Sequence, residues 1–285
     1  AALKYFNRKP NELSWAEACL LAVLPNAPAL IFPGKNMPLL KKKRDDLLRR
    51  LYRKGNLDRE DLELAIAEPL PEKIYNTECI VPHVLTKAYK YRRGEVSRST
   101  IDAELQGRVN EIVKRHIAIL KHNHIYNAAV LVGHIPSGEV RAYVGNSPKV
   151  RENGGNQVDI ITSNRSSGSI LKPALYALMQ YSGDILPKTL LSDIPSRFGG
   201  YVPSNFNKEF QGVVPADQAL AMSLNIPFVR LLRGYGVEHF YDNLKRMGIT
   251  TLYREPGHYG LSLILGGAEC SLWDICNLYG GMASI

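Results

Sequence analysis

The sequence predicts an α+β fold in which a helical N-terminal part precedes a mixed domain. Helical patterns separated by prolines fill the first 69 residues, and β-type runs joined by a hairpin signal first occur after residue 127. The 285 residues, of which 45% are hydrophobic and 22% charged, have a globular composition. A chain of this length is expected to bury a core in one large domain or two smaller ones.

Three helices are predicted in the N-terminal part. The first runs from Glu12 to Leu24, where Ser14 is an expected N-cap and Glu17 completes a capping box. The second runs from Pro38 to Lys54 and carries a leucine stripe, which consists of Leu40, Leu47, Leu48 and Leu51. The third, from Arg59 to Glu68, is capped by Asp58 and ends at a proline.

The following segment, residues 70–98, mixes prolines, charges and tyrosines without a sustained period, so we interpret it as a linker. A second domain is predicted over residues 99–285. An amphipathic helix from Asp102 to Leu120 opens it, and two strands follow, Ala128 to Val132 and Glu139 to Val144. The Pro-Ser-Gly sequence between these strands is a hairpin signal.

The formal charge of +9 is concentrated between Lys35 and Arg59, where ten Lys/Arg residues accompany three Asp/Glu residues. Such a run fits a nucleic acid, an anionic membrane surface or a helix face that is only solvated. The basic positions are not interleaved with aromatic residues beyond Tyr52, and no nucleic-acid-binding motif accompanies them. We therefore expect no nucleic-acid partner.

No window contains the roughly 18 uncharged apolar residues that a membrane-spanning helix needs, and the N-terminus lacks the regions of a signal peptide. Any membrane anchor is expected outside this chain. Because the sequence begins at Ala1 and ends in small residues, we interpret it as an internal fragment, with a processed end at Ala1 as the alternative. The four cysteines have neither zinc-site spacing nor the number that a disulfide framework needs.

A candidate nucleophile lies in the apolar, helix-like run from Arg165 to Asp184. Pro173 is tolerated only in the first turn of a helix, so the helix is predicted to begin close to Ser169. A serine at that position would lie at the positive end of the helix dipole, where N–H groups can stabilise an oxyanion. Gly168 would allow the sharp turn into the helix.

Lys172 follows Ser169 by three residues, a spacing that places both side chains on one helix face. A serine hydroxyl needs a nearby base at neutral pH, and a partly buried lysine can lose enough basicity to serve. The pair therefore predicts serine acylation chemistry. The alternative is an ordinary N-cap serine beside a surface lysine, because a bare SxxK pattern is common.

A second candidate segment is Ser223-Leu224-Asn225, which falls in a break between two predicted helices. Its side chains would be free to join a site. The alternative is that Asn225 only caps the second helix.

These motifs resemble those of the class A penicillin-binding proteins, which combine an SxxK serine with a later SxN motif. RSSGSILKP is similar to the RxPGSxxKP of that family, with Ser167 where proline is usual. Two further stretches, residues 197–206 and 258–269, resemble segments of the 1C type. Residues 12–33 look like the C-terminal end of a lysozyme-like family 51 peptidoglycan glycosyltransferase domain, and residues 38–69 look like its tail. Residues 99–285 look like the first part of a penicillin-binding, β-lactamase-like transpeptidase domain.

The resemblance implies a D,D-transpeptidase in which Ser169 is acylated by a peptidoglycan stem peptide and Lys172 accepts its proton. Ser223 would relay a proton to the leaving group, and Asn225 would hold the substrate amide. The implied partners are stem peptides, the lipid-linked precursor, β-lactams and, through an anchor, the membrane. The implied place is the periplasmic face of the inner membrane. No metal or cofactor is implied for the transpeptidase, and any metal of the glycosyltransferase site stays undetermined.

The departures from the family pattern carry expectations of their own. No KTG or KSG follows Asn225, and the glycosyltransferase glutamates have no counterpart, so the 285-residue chain alone is expected to be acylated poorly. A β-lactamase would need a deacylating glutamate, for which the Glu255-Pro256-Gly257 sequence is a poor match. A penicillin sensor or scaffold, or a D,D-carboxypeptidase, stays open as an alternative.

Overall fold

The computed structural model describes residues 1–26, 33–71, 75, 79–148 and 155–284. The chain divides into two compact units, Ala1–Cys79 and Ile80–Ile285. The boundary lies inside the segment interpreted as a linker, of which residues 72–74 and 76–78 are outside the described residues. Residues 27–32, part of the stretch that resembles a glycosyltransferase, are outside them as well.

The first unit contains the helices α1 (Ala2–Phe6), α2 (Trp15–Val23), α3 (Met37–Arg53) and α4 (Arg59–Ala67). The predicted caps are confirmed. The hydroxyl of Ser14 accepts a hydrogen bond from the Glu17 N–H, and the Glu17 carboxylate accepts one from the Ser14 N–H. Asp58 accepts a hydrogen bond from the Asp61 N–H at the start of α4. These side chains satisfy N–H groups that have no partner within their helices.

The leucine stripe of α3 faces the core of this unit, and Leu40 and Leu48 are fully buried. One cation of the basic run is buried as well. The Arg44 guanidinium contacts the Asp45 carboxylate at 2.8 Å and donates to the carbonyls of Ile66 and Glu68. Arg44 therefore ties α3 to the end of α4 and has a structural role.

The second unit begins with α5 (Pro82–Tyr91) and α6 (Ala103–Leu120), followed by the hairpin of β1 (Val130–His134) and β2 (Glu139–Val144). Shorter strands follow as antiparallel pairs: β3 (Arg165–Ser166) with β6 (Glu269–Cys270), and β4 (Leu190–Asp193) with β5 (Gly212–Pro215). The remaining helices are α7 (Lys172–Tyr181), α8 (Ala216–Ala221), α9 (Asn225–Tyr235), α10 (Val237–Arg246), α11 (Pro256–Tyr259) and α12 (Leu272–Ala283). The predicted α+β class is confirmed.

Helix α5 lies within the segment for which no helix was predicted. Pro82 occupies its first turn, where a missing N–H carries no penalty. His83 packs against Gly145, and its Nε2 lies 3.0 Å from the Asn156 carbonyl oxygen. Contacts distant in sequence hold this helix, which explains why its own pattern did not reveal it.

The main core of the second unit surrounds α7 and α9. Leu171, Leu175, Phe228 and Leu232 are completely buried in it, together with Leu263 from the 3₁₀ segment Gly260–Leu265. This packing fixes α7 and α9, the two helices whose first residues carry the candidate site. No helix in the described parts of the chain is long and apolar enough to cross a bilayer.

Candidate active site

The Ser169 hydroxyl is carried by a tight turn that leads into α7. Gly168 has a φ of +53°, a conformation that side chains disfavour. The Ile170 N–H donates to the Ser167 carbonyl, and the Lys172 N–H donates to the Ser169 carbonyl, both at 3.1 Å. Helix α7 begins at Lys172, three residues after Ser169, which agrees with the predicted start close to Ser169. Because Pro173 is the second residue of α7, its restriction applies to the first turn as expected.

The segment from Gly260 to Cys270 packs against this turn and accepts hydrogen bonds from it. The Ser166 hydroxyl donates to the Gly266 carbonyl at 2.8 Å, and the Ser167 N–H donates to the Ala268 carbonyl at 3.0 Å. Gly266 has a φ of +101°, and a Cβ at this position would lie 2.7 Å from the Gly168 nitrogen. Only glycine fits this close approach, so the stretch of residues 258–269 that resembles family sequences requires a glycine at position 266.

Lys172 is the centre of the candidate site, although it is only 1% exposed. Its ammonium group donates to the Ser223 carbonyl at 2.7 Å, to the Ser223 hydroxyl at 3.3 Å and to Asn225 Oδ1 at 2.7 Å. The ring of Phe228 lies below it at 5.7 Å. Burial lowers the pKa of Lys172 to about 8, because desolvation disfavours the charged amine. The structure therefore rejects the interpretation of Lys172 as an ordinary surface lysine.

Ser223 lies in the break between α8 and α9, as predicted, and is exposed. Its backbone is left-handed, with a φ of +52°. A non-glycine residue in this region stores conformational strain, which often accompanies functional positions. The strain is consistent with a hydroxyl that is held beside the lysine.

Asn225 is the first residue of α9, and its side chain does not cap that helix. Its Oδ1 accepts from Lys172, while its Nδ2 donates to the Ser204 carbonyl at 2.8 Å. The backbone N–H of Asn225 donates to Oδ1 of Asn205 at 2.9 Å. The neighbouring loop thus holds both the main chain and the side chain of Asn225. The alternative that Asn225 only caps a helix is therefore wrong.

Sequence reasoning missed Asn205 and the buried Asp193 behind it. Asn205 Nδ2 lies 2.9 Å and 3.1 Å from the two carboxylate oxygens of Asp193. The only available signal was the resemblance of residues 197–206 to family sequences, a stretch that includes Asn205. Nothing in the local pattern around Asp193 indicates that it contacts Asn205.

The structure brings together Lys172, Ser223 and Asn225 through side chains, and joins Ser169 to them through the backbone. In the described residues, the Ser169 hydroxyl makes no hydrogen bond, and no acceptor contacts its N–H. A nucleophile and its base often make a closer contact only when substrate binds. The open N–H is available to an oxyanion. Among the described residues, no cluster of His, Cys, Asp or Glu has the arrangement of a metal site.

A family model and the similar proteins of known name all point to penicillin-binding proteins. A family model described as the penicillin binding protein transpeptidase domain matches residues 128–259, which include the four candidate positions. Penicillin-binding protein 1C of Escherichia coli (strain K12) is 32% identical over 283 residues, covering 99% of this chain and 36% of that relative. Penicillin-binding protein 1F of Bacillus subtilis (strain 168) is 25% identical, covering 93% of this chain and 38% of that relative.

The chain thus spans little more than a third of the length of these relatives. Among solved structures, penicillin-binding protein 1A from Haemophilus influenzae matches with a TM-score of 0.61 and 17% identity. That match covers 98% of this chain and 57% of the other. At this identity, the likeness shows the fold.

Proposed function

Because the chain belongs to the class A penicillin-binding proteins, we propose that it cross-links peptidoglycan as a serine D,D-transpeptidase. The observation that supports this proposal is the buried amine of Lys172, which contacts Ser223 and Asn225. Lys172 follows Ser169 by three residues in the sequence. Desolvation keeps part of this amine neutral near physiological pH, as a general base requires.

In the acylation step, the Ser169 oxygen attacks the carbonyl carbon of the D-Ala-D-Ala bond of a stem peptide. The hydroxyl proton passes to the neutral amine of Lys172, while the carbonyl oxygen becomes an oxyanion. In this proposal, the Ser169 N–H donates to that oxyanion, a contact that stabilises the transition state more than the ground state. The C–N bond of the donor peptide then breaks.

The departing D-alanine nitrogen must gain a proton when this bond breaks. Ser223 can relay it from the Lys172 ammonium, because its hydroxyl lies 3.3 Å from that nitrogen. In this proposal, Asn225 holds the peptide amide beside the nucleophile. An amino group of a neighbouring stem peptide then attacks the ester carbonyl and gives up a proton to the neutral amine of Lys172. The ester C–O bond breaks as the Ser169 oxygen takes a proton from Lys172, which forms the cross-link and frees the Ser169 hydroxyl. Each of these steps is proton transfer or acyl transfer.

The family context extends the proposal to the remaining partners. We propose that the transpeptidase is fused to a glycan-polymerising domain that uses the lipid-linked precursor. We also propose that an anchor outside residues 1–285 holds the protein at the periplasmic face of the inner membrane. β-Lactams would acylate Ser169 as substrate analogues, because their strained amide presents the same carbonyl to the serine. The exposed cations of α3 would face anionic lipid headgroups.

The fate of the acyl group tests this proposal. The complete gene product would be incubated with a labelled stem peptide, with and without an acceptor peptide that carries a free amine. Cross-linked dimer that depends on the acceptor supports a transpeptidase. Hydrolysis alone would indicate a D,D-carboxypeptidase, and a stable acyl-enzyme without turnover would indicate a sensor or scaffold. A Ser169→Ala variant serves as the control, because it lacks the nucleophile and deletes a hydroxyl that makes no hydrogen bond in the described residues.

A further inference from the structure

Two buried side chains outside the SxxK and SxN motifs, Asp193 and Asn205, form a hydrogen-bonded chain that leads to Asn225. Asp193, at the end of β4, is 0% exposed, and Asn205 is 3% exposed. The Asp193 carboxylate accepts from the Asn205 amide and, at 2.8 Å, from the Gln211 N–H. No lysine or arginine forms an ion pair with Asp193 in the described part of the chain. Burying a carboxylate costs free energy unless hydrogen-bond donors compensate for the lost water. The Asn205 amide and the Gln211 N–H provide that compensation for Asp193.

The contacts of Asn205 allow only one orientation of its amide. Nδ2 donates to Asp193 and to the Glu209 carbonyl, the latter at 2.9 Å. Since a carboxylate only accepts hydrogen bonds, the amide nitrogen must face it. Oδ1 of Asn205 therefore faces the first turn of α9, where it accepts from the Asn225 N–H at 2.9 Å.

The preceding residue, Ser204, completes the hold on Asn225. Its carbonyl accepts from Asn225 Nδ2 at 2.8 Å, which turns Oδ1 of Asn225 toward the Lys172 nitrogen. A reversed Asn225 amide would present N–H donors to the lysine in place of an acceptor. The direction of this amide thus depends on the loop that Asp193 and Asn205 fix.

We propose that Asp193 and Asn205 are positioning residues for the acylation of Ser169, acting by holding Asn225 so that its amide oxygen faces Lys172. This inference rests on the proposed function. Neither residue touches substrate. Their contribution is to keep the base and the substrate-binding amide in reactive geometry, and small displacements of such groups slow the chemical step strongly.

The test uses the complete gene product and a fluorescent penicillin, with the acylation rate constant at saturation and the dissociation constant measured separately. Asp193→Asn keeps the shape of the side chain but places donors against the Gln211 N–H or the Asn205 amide. We expect the acylation rate constant to fall roughly 10- to 100-fold, while the dissociation constant changes less than about three-fold.

The matched control is Asp274→Asn, the same change at another buried carboxylate of this unit. Asp274 accepts from the Thr250 N–H and hydroxyl and contacts none of the site residues. We expect this variant to lose thermal stability yet keep its acylation rate constant within about two-fold of the wild type. If Asp193→Asn slows acylation no more than Asp274→Asn does at a comparable loss of stability, the positioning role is overturned.

A double variant that combines Asp193→Asn with Asn205→Asp provides a rescue, because it exchanges the amide and the carboxylate between the two positions. The new amide at position 193 can donate to the new carboxylate at position 205, which still accepts from the Asn225 N–H. The second oxygen of the new carboxylate faces the Glu209 carbonyl in place of an N–H donor, so recovery is expected to be partial. If Asp193→Asn alone fails to fold, the exchanged pair decides the question. Asn205→Asp alone has the same repulsion against the Glu209 carbonyl and is therefore the reference for the pair. An acylation rate constant about ten-fold higher in the exchanged pair than in Asn205→Asp supports the role, and equal rate constants overturn it.

The same experiment separates the two proposals. Absence of labelling in the wild-type protein would reject the proposed function itself, and with it the role that rests on that function. Normal labelling of the wild type, together with an Asp193→Asn variant that is acylated as fast as the Asp274→Asn control, would reject the positioning role alone.

Discussion

Lys172 Nζ lies 2.7 Å from Asn225 Oδ1, although the two residues are 53 positions apart in the sequence. This contact joins the segment that carries the candidate nucleophile to the segment that carries the candidate substrate-binding amide. Lys172 has no carboxylate among its hydrogen-bond partners in the described residues. Its basicity is therefore set by burial, which has a direct consequence for the pH dependence of the reaction.

Acylation is expected to rise with pH through a midpoint near 8. Burial lowers the pKa of Lys172 to about 8, and only the neutral amine can accept the Ser169 proton. Below that pH the amine is protonated and the rate falls. The second-order rate constant for penicillin acylation, measured from about pH 6 to about pH 10, checks this prediction. Lys172→Arg, which stays protonated throughout, should show no acylation, and a flat wild-type profile would contradict the assignment.

Gly266→Ala is expected to disturb the turn that carries Ser169. The added Cβ would lie 2.7 Å from the Gly168 nitrogen, and the φ of +101° is itself strained for alanine. Backbone strain and overpacking of this kind cost about 1–3 kcal/mol each. Thermal denaturation and penicillin labelling should both show the loss. Gly257→Ala, at a helical position where nothing lies within 4 Å of the added Cβ, should leave labelling unchanged and should not lower stability.

Ser167→Ala is expected to leave stability unchanged or to raise it by up to about 1 kcal/mol. The Ser167 hydroxyl is buried without a hydrogen-bond partner among the described residues, so its removal relieves a desolvation cost. Ser166→Ala is the matched contrast, because it deletes the 2.8 Å hydrogen bond to the Gly266 carbonyl and should destabilise. Chemical denaturation of both variants measures the difference. A loss of stability in Ser167→Ala would indicate a partner for that hydroxyl.

Ser223 should show opposite effects on stability and on activity. Ser223→Gly relieves the left-handed backbone, with a φ of +52°, and is expected to stabilise by about 1 kcal/mol. The same change deletes the hydroxyl beside Lys172 and should slow stem-peptide acylation. Ser223→Ala deletes the hydroxyl but keeps the strained Cβ, so it should be slow without being more stable. Equal stability of the two variants would argue against strain at this position.

Local rules predicted much of the helical framework. Ser14 and Asp58 cap helices as expected, because a cap depends on residues three or four positions apart. The start of α7 was predicted only as close to Ser169 and lies three residues later, since Pro173 restricts the first turn without specifying which of its positions it occupies. The pair β3 and β6 was not predicted, because two residues per strand carry no periodicity.

The motif residues of the candidate site were predicted from the sequence, but the residues that hold them in position were not. Ser169, Lys172, Ser223 and Asn225 lie in short patterns that can be read along the chain. Asn205 is 20 positions from Asn225, and its role depends on a loop that folds back onto α9. No residue-spacing rule describes such a contact. The domain boundaries over residues 1–69, 70–98 and 99–285 stay a prediction.

Covalent labelling of Ser169 tests the central claim most directly. The complete gene product would be incubated with penicillin, digested and sequenced by mass spectrometry. The predicted result is an added penicilloyl mass on Ser169, absent from Ser169→Ala. An unmodified Ser169 after prolonged incubation of the folded protein, or penicillin attached to a different residue, would contradict the assignment of Ser169 as the nucleophile.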